Sequence, residues 1–133
     1  MANLTALSTK RKAEEGVEIE LHLHNYPGEY TGLFVTIPGP GSAVAKRVGK
    51  AMADLEQQAE RQRRQVKVDD AKYIEIMSDL ILDWREFEET NDKGELVEIP
   101  FTKPNVLRVL TENDWIIEQV LSAMKDTKLF ISA

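Results

Sequence analysis

The chain has no cysteine among its 133 residues, which excludes a disulfide framework and thiolate-held metals. It has two histidines, too few for a three-imidazole metal site, and its aromatics amount to 7% of residues. No apolar run approaches the roughly 20 residues of a membrane span, and the polar start MANLTALSTKRKAEEG lacks the apolar centre of an export signal. A soluble protein that stays in the compartment where it is made, with no membrane partner, is therefore expected. Positive charge is also short, and unevenly so. Residues 1–67 hold 10 Lys and Arg against 8 Asp and Glu, whereas residues 68–133 hold 7 against 15, for a net charge of −6. Nucleic-acid binding is driven by clustered Lys and Arg displacing counterions, so an acidic total argues against such a partner.

What is present is enough apolar material, 42% of residues, for one moderate core. The first sixteen residues show no sustained periodicity and read as a flexible arm, leaving 17–133 as a single domain. Val17, Ile19, Leu21 and Leu23 alternate with Glu18, Glu20, His22 and His24, the pattern of a half-buried strand. After the turn NYPGE the alternation returns with Leu33, Val35 and Ile37 on one face, so residues 17–37 read as a β-hairpin. The period then becomes helical: Val44, Val48, Met52, Leu55 and Ala59 form one stripe. Tyr73, Ile76, Met77, Leu80, Ile81 and Trp84 form a second. The acidic EFEETNDKGELVEIP reads as a loop or short irregular hairpin turned at Asp92-Lys93-Gly94. Thr102 with Pro104 opens a short helix, and Thr111 with Asp114 resembles a shorter-armed capping box for the last one. The fold class expected is α+β, an N-terminal β-hairpin followed by a bundle of about four α-helices near 43–65, 69–84, 103–110 and 112–127.

The segment FVTIPGPGSAVAKRVGK tests for a phosphate cradle, since a strand, two glycines and a helix open many such sites. In the P-loop pattern Gly-Lys is followed by Ser or Thr, which holds magnesium, and is preceded by a glycine that lets the backbone wrap the phosphates. Here Gly49-Lys50 is followed by Ala51, and Val44 stands where the first glycine belongs. In the dinucleotide pattern Gly39 and Gly41 fit, but Val44 again occupies the third glycine position. PGPGS is better read as a rigid corner, with Ser42 capping the helix that follows. No cofactor is expected.

Catalytic constellations are similarly thin. Glu20, His22 and His24 share a strand face and are the one trio with metal-binding spacing; exposed polar positions of an amphipathic strand are the plainer reading. Candidate partner-binding residues are the basic cluster Arg61, Arg63 and Arg64 and the start of the acidic stretch, Glu86, Phe87, Glu88 and Glu89. Opposite charges on one small protein suit partner capture or head-to-tail self-association.

The residues Leu21, Leu23, Thr31-Gly32, Val35, Ile37 and Gly39-Pro40 with Ser42 follow a pattern found at the start of small tail-gene proteins of long-tailed bacteriophages. Leu82-Asp83-Trp84, Gly94, Pro100-Phe101-Thr102 and Trp115 extend it, so that the matches span roughly residues 17–120. The chain thus resembles the phage tail assembly chaperones. That resemblance implies a non-enzymatic protein of the host cytoplasm, absent from the mature virion, that binds the tape measure protein and helps recruit the tail tube protein. It also implies a frameshifted longer form of the same protein as a partner, and homo-oligomers. A structural minor tail protein retained in the virion, such as a connector or completion protein, is the alternative, and a metal-dependent enzyme built on Glu20, His22 and His24 is a third. From the corner reading of PGPGS, ATP, GTP and NAD at millimolar concentration are expected to leave the melting midpoint unchanged. A ligand that binds only the folded state must raise it, so a saturable rise in a thermal scan would restore the nucleotide reading.

Overall fold

Val17–His22 (β1) and Tyr30–Ile37 (β2) pair antiparallel, with Val17 opposite Ile37 and Ile19 opposite Val35. They belong to a computed structural model of the chain that describes residues 4, 8–61 and 70–131. The alternation sets the faces as expected: Leu21, Val35 and Ile37 are wholly buried, and Val17, Ile19 and Leu33 pack on the same core. Leu23 departs from that pattern. A register shift between Glu20 and His22 ends the strand, and Leu23 beyond it is 47% exposed.

Further helices and strands alternate after the hairpin: helix α2 over Ala43–Arg61, helix α3 over Asp70–Ser78, strand β3 over Asp83–Arg85, strands β4 and β5 over Glu88–Thr90 and Leu96–Glu98, helix α4 over Lys103–Glu112 and helix α5 over Trp115–Met124. A 3₁₀ turn, Thr127–Phe130, follows. With helix α1 at Lys10–Glu15, the described residues form five α-helices and two small sheets, one ordered β1-β2-β3 and one pairing β4 with β5. The chain is therefore mixed α/β, with strands spread along it and helices between them. This corrects the expected α+β arrangement of one N-terminal hairpin followed by a helical bundle.

The physical cause lies at residues 79–85. Leu80, Ile81 and Trp84 continue the helical spacing of α3, but the free edge of β2 competes for the same backbone. The Leu82 N–H donates to the Thr36 carbonyl at 2.8 Å, and Trp84 comes to lie opposite Val35. Pairing a strand edge satisfies peptide groups that would otherwise be buried without partners, and side-chain periodicity does not register that gain. The acidic stretch becomes the β4–β5 hairpin because Asn91 organises its turn. The Asn91 Oδ1 accepts the N–H groups of both Lys93 and Glu95 at 2.9 Å.

Part of the segment read as an arm is built into the structure. Ala13 of α1 is buried, its carbonyl accepts the Gly39 N–H at 3.0 Å, and the Glu14 carboxylate accepts the Ala43 N–H, also at 3.0 Å, at the start of α2. Ser42 caps the same helix, its hydroxyl oxygen accepting the Ala45 N–H at 3.1 Å. PGPGS is thus a corner on which α1 is seated, and wholly buried Phe130 of the closing turn packs against it. At α4, Thr102 accepts the Asn105 N–H as its cap. The expected capping box fails: the Thr111 hydroxyl donates back to the Leu107 carbonyl at 2.6 Å inside α4, and the side chain of Asp114 makes no cap bond to α5.

Two glycines separate close packing from helix propensity. A Cβ on Gly39 would stand 2.6 Å from the Ala13 Cβ and 2.9 Å from the Phe130 ring, whereas one on Gly49 in α2 would meet nothing within 4 Å. Gly39→Ala should destabilise by about 1–3 kcal/mol, the usual cost of overpacking, and Gly49→Ala should stabilise by up to ~1 kcal/mol. Urea unfolding of the two variants checks both signs.

Candidate interaction cleft

A cleft of about 570 Å³ separates the turn end of the β1–β2 hairpin from α5. Its walls come from Glu20, His22, His24 and Tyr30 on the hairpin side and from Trp115 and Gln119 on the helix side. Helix α5 is positioned by Ile116, Ile117 and Val120, which are buried in the core, and this places Gln119 beside the edge of β1. There its side chain pairs with a peptide unit as a neighbouring strand would. The His22 N–H donates to the Gln119 Oε1 at 3.0 Å, and the Gln119 Nε2 donates to the His22 carbonyl at 2.8 Å. The register shift in β1 is secured from the other strand, where the Thr31 hydroxyl donates to the Leu21 carbonyl at 2.9 Å and the Gly32 N–H donates to the Glu20 carboxylate at 3.0 Å.

Aromatic rings stand in the cleft. Tyr30, which lines it, is 64% exposed, and the His24 ring stands 6.4 Å from that of Trp115; Leu23 and Tyr26, 47% and 60% exposed, belong to the adjoining turn and do not line the cleft. Aromatic residues left open beside a cleft are the side chains most often found at the energetic centre of protein interfaces.

The residues singled out for metal binding meet here but not as a ligand set. Glu20, His22 and His24 all line the cleft, yet the Glu20 carboxylate is engaged by Gly32 and the His22 Nδ1 lies 2.9 Å from the Leu23 carbonyl. Among the described residues no three of His, Asp and Glu converge as a cation site. The candidate partner residues are scattered. Phe87 is buried, stacked on Trp84 at 4.4 Å between ring centres, so it belongs to the core. The Glu89 carboxylate accepts two hydrogen bonds at 2.9 Å from Arg108, which holds the β4–β5 hairpin to α4 and raises the guanidinium pKa. Glu86, in a left-handed backbone conformation with φ 64°, and Glu88 are exposed. Arg63 and Arg64 lie outside the described residues, and Arg61 is described only as the last residue of α2.

Two further clusters have structural roles. On the outer face of the three-stranded sheet, Arg85 donates to both oxygens of Glu18 at 2.7 and 2.8 Å and lies 3.8 Å over the Phe34 ring. The hydrogen bond from Arg85 holds the Glu18 carboxyl below its usual pKa. Near α3, Lys103 donates to the Ser78 hydroxyl and to Asp79, while the Ser78 hydroxyl itself donates to the Glu75 carbonyl at 2.6 Å. This pairing braces the start of α4 against the end of α3.

Comparison with protein families matches residues 41–131 to the family described as YdaY prophage protein. The chain belongs to that family. The matched residues run from Gly41 of the corner through α5 to the end of the closing turn, so they include Trp115 and Gln119, while the hairpin precedes them. No curated protein and no solved structure matches the chain. The prophage protein is thus phage-derived. No helix among its described residues is long and apolar enough to cross a membrane.

Gln119, Trp115 and Tyr30 line this site without having been singled out as a sequence motif for it. Tyrosines flanking the turn NYPGEY were the available signal. Gln119→Ala in the prophage protein should speed amide exchange at His22 and cost about 1–3 kcal/mol, as the loss of a partner to strand-edge groups does, while the remaining core amides keep their protection. Unchanged exchange at His22 would remove the clamp from this account.

Proposed function

We propose that the prophage protein is a non-enzymatic tail assembly chaperone that acts in the host cytoplasm. It captures a segment of the tape measure protein in the cleft, keeps that protein soluble while the tail tube protein is recruited, and leaves before the virion is complete. The observation that carries this reading is the open cleft lined by exposed Tyr30 and by Trp115, beside a turn that leaves Leu23 and Tyr26 exposed. Such a surface suits an amphipathic segment of another protein, whose apolar residues it would remove from water. The family, a prophage one, supports the phage setting, and the resemblance of residues 17–120 to tail assembly chaperones supports the partner.

Co-expression with the tape measure protein of the same phage tests the proposal. The two should co-purify, and the tape measure protein should be soluble only in the presence of its chaperone. Tyr26→Ser with Tyr30→Ser changes only exposed rings and should lower co-purification by about ten-fold or more, the effect of removing a central aromatic contact, without moving the melting midpoint. A tape measure protein that precipitates equally with and without the prophage protein overturns the reading. Detection of the protein in purified virions by mass spectrometry would instead make it a structural tail component.

A further inference from the structure

The charge of the cleft is of one sign. Glu20, Glu118 and Asp126 line it, and neither lysine nor arginine does. Three acidic residues at joints between elements are matched: Glu18 by Arg85, Glu89 by Arg108, and Asp79 by both Lys103 and Arg47. Among the described residues, none of the three cleft carboxylates forms an ion pair with lysine or arginine. Glu20 accepts the Gly32 N–H, and Asp126 accepts the Lys128 N–H at 3.2 Å as the cap of the closing turn. The same cleft holds Trp115 and Tyr30, rings whose faces attract cations, tryptophan most strongly.

From this combination we infer that the cleft recognises arginine or lysine side chains, presented by a segment of the captured protein that places its apolar residues against Tyr30 and the exposed Tyr26 of the adjoining turn. The inference rests on the chaperone reading for the identity of that protein, and on the cleft alone for its chemistry. A guanidinium or ammonium entering between Glu118 and Asp126 gains charge-assisted hydrogen bonds and a ring face together. A segment bearing carboxylates would meet uncompensated negative charge there and be rejected.

A two-peptide titration followed by NMR tests the chemistry without the natural partner. The probe is an amphipathic peptide of roughly 15 residues with arginines on its polar face, set against the same peptide with glutamine at those positions. The arginine peptide should shift the Trp115 indole N–H and the Gln119 side-chain amide resonances. The glutamine peptide should bind about ten-fold more weakly, as losing a few exposed ion pairs and one cation–π contact implies. Glu118→Gln with Asp126→Asn should abolish the difference between the peptides, and rising salt should diminish it. Equal shifts from both peptides, or no shift at either resonance at millimolar peptide, overturn the inference. Either result leaves the chaperone reading standing on its own co-expression test. Co-purification that survives in the Glu118→Gln, Asp126→Asn variant likewise removes the cationic requirement while keeping the function.

Discussion

The indole of Trp84 is the joint on which the other layers depend. Its backbone pairs β3 to β2, and its ring stacks on Phe87 at 4.4 Å and meets the edge of Phe101 at 5.3 Å. Its Nε1–H donates to the Ile99 carbonyl at 2.9 Å. One side chain therefore links the three-stranded sheet, the entry and exit of the β4–β5 hairpin and the approach to α4. A buried indole needs a partner for its N–H, and the Ile99 carbonyl is placed to be that partner because the second hairpin closes back on Phe87, whose carbonyl accepts the Ile99 N–H. Once this joint is made, α4 and α5 are carried to the side of the sheet where the cleft forms.

The cleft itself comes from a strand that stops early. β1 continues its pairing only as far as His22, where the register slips, and the peptide group at that point is completed by Gln119 of α5 instead of a further strand residue. Beyond it the chain enters the turn that leaves Leu23 and Tyr26 exposed, and Tyr30 on its return shares the cleft with Glu20, Glu118 and Asp126. The contrast with the outer face of the sheet is instructive. There Phe34 is covered by Arg85 and Glu18, a closed arrangement with its charges matched. The rings in the cleft, by contrast, lie beside carboxylates that form no ion pair with lysine or arginine among the described residues.

Reading the sequence located the elements of the site better than it located the site. Glu20, His22 and His24 are grouped by alternation and do share the cleft, but alternation does not foresee that the Glu20 carboxylate is engaged by Gly32 and the His22 ring by the Leu23 carbonyl. Phe87 reads most economically as a core residue, with a contact patch beside the acidic stretch as the other reading. Its neighbours in space, Trp84 above all, make it core. Gln119 carried no local signal at all, since a glutamine on an amphipathic helix reads as a solvated position until the strand it meets, 97 residues earlier in the chain, is known.

The sequence by itself determined what depends on near neighbours along the chain. The inner face of the hairpin at Leu21, Val35 and Ile37, the helix start at Ser42 and the cap at Thr102 are of this kind. In each, the deciding interaction closes within a few residues or repeats with the period of the element. Tertiary structure alone decided that 83–85 is a strand, that Gly39 must lack a side chain where Ala13 and Phe130 meet it, and that Gln119 completes β1. Each of those outcomes is set by a hydrogen bond or a close approach between distant parts of the chain. Their energies outweigh the weak local preference of the residues concerned, and the residues concerned carry no mark of them.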